Sequence, residues 1–320
     1  MLEKKSAGSE IESIATGVRH LQIVFVNTYF IDTPEIAPGS WVLIDTGLPL
    51  NGWRILSYAE KLYGRGAKPS AIVLTHGHFD HAGAAQSLAA RWEVPIYAHH
   101  LEMPYLTGKS DYPPQDPTVG GALAQMSRLF PHSGYDFGTR VYPLPLSGEI
   151  AEMPGWRAVH TPGHTAGHIS LFRESDRTLL AGDALATLNQ DSWISNLTEK
   201  REFHEPPAPF TTDWQAARRS VEVLAELEPR TVAAGHGLPI KGAETPPQLI
   251  QFALNFSPPK KGRYVNKPAV TDENGIVALP PPVSDPVRQI MIGAAIGTAA
   301  GLLLAQVKKR GRKKIETNLF

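Results

Sequence analysis

Three histidines and an aspartate crowd into six residues of "VLTHGHFDHAG", Val73 to Gly83, directly behind an apolar run. Buried rings and a carboxylate this close cannot all be satisfied cheaply by ordinary side-chain partners. A fold that keeps them must give them something to share, and a cation is the simplest candidate. Ala71 to Leu74 reads as a buried strand, so His76, His78, Asp80 and His81 leave its carboxyl end on a loop before a helix over Ala82 to Trp92. Strand ends are where α/β folds place their sites. His76 and His78, two residues apart, suit one ion, while Asp80 and His81 can turn toward a second. Imidazole with carboxylate favours a borderline divalent ion such as Zn2+ over Ca2+ or Mg2+.

Four donors do not complete two coordination spheres, so further ligands are expected downstream, again at strand ends. The chain supplies His164 in "VHTPGHTAGH" after a strand at Trp156 to Val159. It adds Asp183 in "LLAGD" after Thr178 to Ala181, and His236 in "VAAGHG" after Thr231 to Ala234. In this order, HxHxDH, TPGHTxGH, AGD and AGHG resemble the ligand set of the metallo-β-lactamase-fold hydrolases, over roughly Leu21 to Pro239. The resemblance implies that His76, His78 and His164 hold one metal, that Asp80, His81 and His236 hold another, and that Asp183 bridges them. It implies two Zn2+ per chain, with iron or manganese as alternatives, and an αββα four-layer sandwich of class α/β. Asp45 in "LIDTG" matches a position that hydrogen-bonds near a ligand. With the seven ligand places filled, His168 is expected to support the site rather than ligate. His20, His99, His100, His132, His160 and His204 are expected to be surface or hydrogen-bonded histidines.

The organisation of the chain agrees with one catalytic domain. Short β-rich runs alternate with helical patterns, for example Trp53 to Tyr63 and Asp213 to Leu227, from residue 21 to residue 256. Residues 1–20 read as a polar lead. Residues 100–140 are punctuated by Pro and Gly and are expected to form a lid insertion. Residues 257–286 contain seven prolines and read as a semi-extended linker. Residues 287–307 are hydrophobic, and 308–320 form a basic tail.

With 31 basic and 31 acidic residues the net charge is zero, which speaks against nucleic acid as a partner. The absence of cysteine removes disulfides and thiolate chemistry together. The expected function is therefore hydrolysis of an ester, thioester or lactone of a small molecule by a hydroxide bridging two zinc ions. Asp80 is the expected catalytic residue that orients the nucleophile and moves its proton.

Departures from particular branches narrow the resemblance. Asp183 stands where some lactamases use cysteine, and His78 stands where flavo-diiron proteins use glutamate. Ala184 to Gly235 contains no tyrosine of the kind many acyl-homoserine lactonases carry, which weakens lactonase. The 83-position step from His81 to His164 and the C-terminal composition argue against glutathione thioesters. The alternative is a mononuclear iron oxidoreductase similar to persulfide dioxygenases. A metal-binding module without turnover would require a lost ligand, which this chain does not show.

Gln289 to Val307 carries no charge and as a helix would be about 28 Å long, close to the hydrocarbon thickness of about 30 Å. Gly293, Gly297 and Gly301 recur every four residues, a pattern that lets membrane helices approach and self-associate. No signal peptide is evident at the start, whereas Lys308, Lys309, Arg310, Arg312, Lys313 and Lys314 follow the segment. The expectation is a cytoplasmic catalytic domain held near a membrane by this segment, as a transmembrane helix or one dipping into a single leaflet.

Overall fold

Successive side chains along a strand point to opposite faces, and this alternation decides what covers each face of each sheet. The computed structural model describes residues 12–190 and 200–287. Seven strands form the first sheet, in the order β1 (Glu12–Ala15), β2 (Val18–Ile23), β3 (Val26–Asp32), β4 (Trp41–Ile44), β5 (Ile72–Val73), β6 (Ile96–Ala98) and β7 (Val141–Pro143). Pairing is antiparallel as far as β4 and parallel from β4 to β7. The second sheet contains β8 (Trp156–His160), β9 (Ile169–Arg173), β10 (Thr178–Gly182), β11 (Thr231–Ala234) and β12 (Ile240–Lys241), ordered β12-β11-β10-β9-β8. Only β10 and β11 run parallel in it.

On β4, Trp41 and Leu43 face outward onto α1 (Gly52–Tyr63) and α2 (Ala85–Trp92), packing with Ile55, Ala59, Leu88 and Trp92. Val42 and Ile44 face the other way and meet Leu171, Leu180 and Ala233 of the second sheet. On β10, Leu179 and Ala181 point away from that interface onto α5 (Trp214–Glu226) and α6 (Thr245–Leu254), against Trp214, Val221, Leu224 and Leu249. The layers are helix, sheet, sheet, helix, as the sequence suggested. Asp213 caps α5, its carboxylate accepting from the N–H groups of Gln215 and Ala216 at 3.0 and 2.9 Å.

Three boundaries differ from the sequence reading. The first sheet begins inside the polar lead: β1 and part of β2 lie before residue 21, with Ile14 and Val18 buried. The helix expected from Ala82 starts at Ala85, because the N–H groups of His81 and Ala82 close onto the carbonyl of His78 at 3.0 and 2.8 Å in a tight turn.

The third difference is the larger one. Residues 257–281 belong to the same compact unit as the catalytic domain and are packed on it rather than forming a linker. Tyr264 is buried with its O–H donating to Pro114 O at 2.7 Å, and the N–H of Ala269 donates to Thr212 O at 3.0 Å. β13 (Val270–Asp272) and β14 (Gly275–Ala278) form a hairpin whose Ile276 N–H reaches Ser110 Oγ at 3.3 Å. Prolines raised the linker reading, but they flank the hairpin instead of interrupting it.

The unit that begins at Pro282 contributes only residues 282–287 to the described chain, and these are mostly exposed. The hydrophobic segment after Val287 and the basic tail lie outside the described residues. Among the described residues no helix is long and apolar enough to cross a membrane.

Residues 100–140 hold short helices, α3 (Met103–Leu106) and α4 (Ala122–Met126), joined by irregular chain. They line one wall of a cavity of about 550 Å³ through Tyr112, Gln115, Leu123, Met126 and Phe130. The cavity floor includes His78, Asp80, His164, Asp183 and His236.

Candidate metal centre

The turns after β5, β8, β10 and β11 converge on one edge of the sandwich, two sheets each supplying part of the cluster. Three groups of donor atoms result, each with all members within 4.8 Å of one another: His76, His78 and His164; His76, His81 and Asp183; Asp80, His81 and His236. All seven residues expected from the sequence are thus brought together. Asp183 sits between the groups, its carboxylate oxygens 3.4 Å from His81 Nε2, 3.5 Å from His164 Nε2 and 3.3 Å from His236 Nε2. His76 Nε2, His81 Nε2 and Asp183 Oδ1 are buried without any hydrogen-bond partner. Buried polar atoms left unpaired are costly, and a cation would satisfy all three at once.

Two of the rings are aimed by their other nitrogen. His81 Nδ1 donates to Asp45 Oδ2 at 2.8 Å, and His236 Nδ1 donates to the carbonyl of Phe25 at 2.8 Å. Asp45 also accepts from the N–H and O–H of Thr75, both at 2.8 Å, fixing the strand end just before His76. Its backbone takes φ 56, a left-handed conformation that aspartate tolerates better than most residues and that turns the carboxylate inward. This is the support expected of Asp45.

Burial and the crowding of neighbouring rings hold His76 and His164 well below the usual imidazole range, and burial brings His78 down to about 3. These three are neutral donors. For His81, burial pulls the pKa down but Asp183, Asp45 and Asp80 outweigh it and raise it. His236 follows the same logic through Asp183 and Asp80. Burial opposes ionisation of Asp183, yet His236 and His81 keep it an anion. In Asp80 burial wins and the pKa rises.

Sequence reading missed Glu102. It is fully buried and accepts from the N–H of Gly77 at 3.0 Å, the N–H of Gly167 at 3.0 Å, the O–H of Thr165 at 2.6 Å and the O–H of Tyr112. Gly77 lies between His76 and His78, and Thr165 and Gly167 follow closely after His164. One carboxylate from residues 100–140 therefore ties both histidine loops together. Asn27 was missed as well: its Nδ2 donates to the carbonyls of Ala234 and Gly237 at 2.9 and 2.6 Å, bracing the turn that carries His236. Only their positions in three dimensions reveal these roles.

His168 does not join the donor groups. Its Nε2 accepts from the main-chain N–H of Asp183 at 2.8 Å, and its Nδ1 lies 3.2 Å from the carbonyl of Thr161. Outside the centre, His20 Nε2 pairs with Asn27 Oδ1 at 2.8 Å, and His160 Nε2 donates to Ala166 O at 2.8 Å. The rings of His99 and His160 stack with centroids 4.2 Å apart, His204 pairs with Glu202, and His132 is exposed.

Comparison with known proteins gives the same picture. The sequence profile described as "Metallo-beta-lactamase superfamily" matches residues 21–236. The probable metallo-hydrolase YflN of Bacillus subtilis is 44% identical over 244 residues, 76% of this chain and 92% of that protein. A second Bacillus subtilis protein, the probable metallo-hydrolase YybB, is 30% identical over 53% of this chain and 64% of its own length. Among solved structures, MEM-A1, a subclass B3 metallo-beta-lactamase from a soil metagenome library, aligns with a TM-score of 0.50 at 19% identity, covering 71% of this chain and 80% of that one. That last likeness concerns the fold.

Proposed function

Because the chain belongs to the metallo-β-lactamase superfamily, we propose that it is a metal-dependent hydrolase that cleaves an ester, thioester or lactone of a small molecule with two zinc ions per chain. In this reading His76, His78 and His164 hold one ion, Asp80, His81 and His236 the other, and Asp183 stands between them. The observation that carries it is the set of orphaned atoms, His76 Nε2, His81 Nε2 and Asp183 Oδ1, at the meeting point of three complete donor groups. The group containing Asp80, His81 and His236 is as complete as the other two, which favours two ions over the single iron of a persulfide-dioxygenase-like oxidoreductase.

Divalent cations held there lower the pKa of bound water from about 15.7 to about 7 and polarise a carbonyl. The protein supplies the rest. Among the described residues, Asp80 and Asp183 are the only carboxylates lining the cavity. Asp183 is committed to His81, His164 and His236. Asp80 is thus the group placed to take a proton from the attacking water and return it to the leaving atom. Tyr112 O–H already donates to Glu102 and is occupied as an acid. Residues 100–140 wall one side of the cavity and so limit water around the reacting carbonyl.

Metal content of the purified full chain by elemental mass spectrometry, with hydrolysis assays on the same sample, tests the proposal. About two zinc ions per chain and ester-type turnover are expected. One iron per chain, oxygen consumption and no hydrolysis would overturn it. The proposal of membrane association through Gln289 to Val307, and of self-association through Gly293, Gly297 and Gly301, rests on sequence alone. Unchanged membrane fractionation of a chain ending at Pro286 would sink the membrane part.

A further inference from the structure

The cavity that opens on the candidate centre is walled mostly by apolar surface, with Gln22, Gln115, His132 and Gln190 as its uncharged or weakly basic polar exceptions away from the centre. From the ring of His78 an aromatic path leads outward: Phe210 at 5.8 Å between centroids, then Phe130 at 6.2 Å from Phe210, then Phe79 at 5.1 Å from Phe130. All three phenylalanines are half-buried and line the cavity. At the mouth the apolar surface continues into solvent, with Val24 63%, Phe25 40% and Met126 53% exposed. Val24 takes φ 62, a conformation that costs a β-branched residue strain a glycine would avoid. The hairpin tip between β2 and β3 thus presents an apolar side chain at the mouth despite the backbone penalty.

Charge recognition is missing from the same wall. Among the described residues Lys200 is the only lysine or arginine lining the cavity, and its Nζ is 2.5 Å from Glu202. Its neighbour Arg201 donates to Pro239 O at 2.9 Å. Residues 191–199, which precede Lys200, contain neither lysine nor arginine. A substrate with free carboxylates, such as a glutathione thioester, would have to strip them of water without a dedicated cation in return.

We infer that the substrate is an uncharged acyl compound whose hydrocarbon chain lies along Phe210, Phe130 and Phe79 and emerges at Val24, Phe25 and Met126. The inference rests on the ester-type hydrolase reading above and adds the substrate class. A cavity of about 550 Å³ accommodates a chain of this kind together with the carbonyl over His78 and Asp80.

The test is kcat/KM of the zinc-loaded full chain on p-nitrophenyl acetate, butyrate, octanoate and decanoate, and on S-octanoyl-N-acetylcysteamine against S-lactoylglutathione. The expected result is a rise approaching about fourfold per methylene while the chain is being covered, with S-octanoyl-N-acetylcysteamine preferred. In Val24→Gly the octanoate-to-acetate ratio is expected to fall about tenfold without loss of melting temperature, because the substitution relieves backbone strain. A flat or falling series, or preference for S-lactoylglutathione, overturns the inference and leaves the hydrolase reading standing. No turnover of any member by zinc-loaded protein overturns the hydrolase reading and the inference with it.

Discussion

His168 holds the chain at Asp183 through the ring nitrogen rather than through charge: Nε2 accepts the Asp183 N–H at 2.8 Å, which requires that atom to be unprotonated. Burial brings the His168 pKa down to about 3, against about 6.5 in an unfolded chain. A depressed histidine favours folding above the unfolded value, and that contribution is lost as pH falls from about 6.5 toward the folded value. From this ring alone the loss is about 2 kcal/mol at pH 5. His76, His78 and His164 act in the same direction in metal-free protein. His81 and His236 are raised and act oppositely, favouring folding below about 6.5 and losing that effect as pH rises. The depressed rings, His168, His76, His78 and His164, outnumber the raised pair. The urea midpoint of chelator-treated protein is therefore expected to fall between pH 7 and pH 5, and His168→Gln to flatten that dependence. A midpoint independent of pH over this range would contradict the arrangement.

Replacing Glu102 by Gln keeps the volume and removes the charge. The amide then turns an NH2 toward one of two donor pairs, either Gly77 N–H with Tyr112 O–H or Thr165 O–H with Gly167 N–H. Charge-assisted bonds of this type contribute about 1.5–3 kcal/mol each, so a loss of roughly 3 kcal/mol is expected in the chelated protein. Because both histidine loops hang on this group, zinc affinity should also drop by about 10- to 100-fold. Competition with a chromophoric chelator measures it. A stability loss with zinc affinity intact would confine Glu102 to the fold.

Gly235 precedes His236 where no side chain fits. A methyl group added there would lie 2.0 Å from Asp183 Oδ1 and 2.6 Å from His81 Cε1. Gly235→Ala is expected to displace both donors and to purify with a small fraction of the wild-type metal, read by elemental mass spectrometry. Full metal occupancy in this variant would show that Asp183 and His81 are not placed as described.

Residues 257–281 strap residues 100–140 through Tyr264 O–H to Pro114 O, Arg263 N–H to Asp116 and Ile276 N–H to Ser110. A chain ending at Phe256 is expected to be less stable than one ending at Pro281 by at least about 2 kcal/mol, the scale of burying one large side chain. It should also be cut sooner by proteases between Pro113 and His132. Equal midpoints and equal cleavage patterns for the two chains would return this stretch to the status of a linker.

The legible part of the centre was the part written in short contiguous motifs. His76, His78, Asp80 and His81 share one turn, and His164, Asp183 and His236 each follow a strand whose apolar run is visible in the sequence. Strand ends are local events, so their spacing survives in one dimension. Glu102 and Asn27 brace the centre through distant partners: Glu102 reaches Gly77 and Gly167 across 25 and 65 positions, and Asn27 reaches Gly237 across 210. No periodicity encodes such a contact. The stretch after Phe256 is hidden for a different reason: its prolines read as extended chain, while the turn-prone Asn274-Gly275 leads from β13 into β14.

The donors of the candidate centre are divided between the two sheets, four from the turn after β5 and three from the turns after β8, β10 and β11. Neither sheet alone can assemble a complete set. Tight metal capture therefore belongs to a late moment of folding, after the interface of Val42, Ile44, Leu171 and Leu180 has closed. An ion seated in one of these groups would link position 76 to 164, or 81 to 236, much as a covalent clamp would. Separating the sheets then requires breaking coordination first, so the lifetime of the folded enzyme is governed by how slowly it releases its metal.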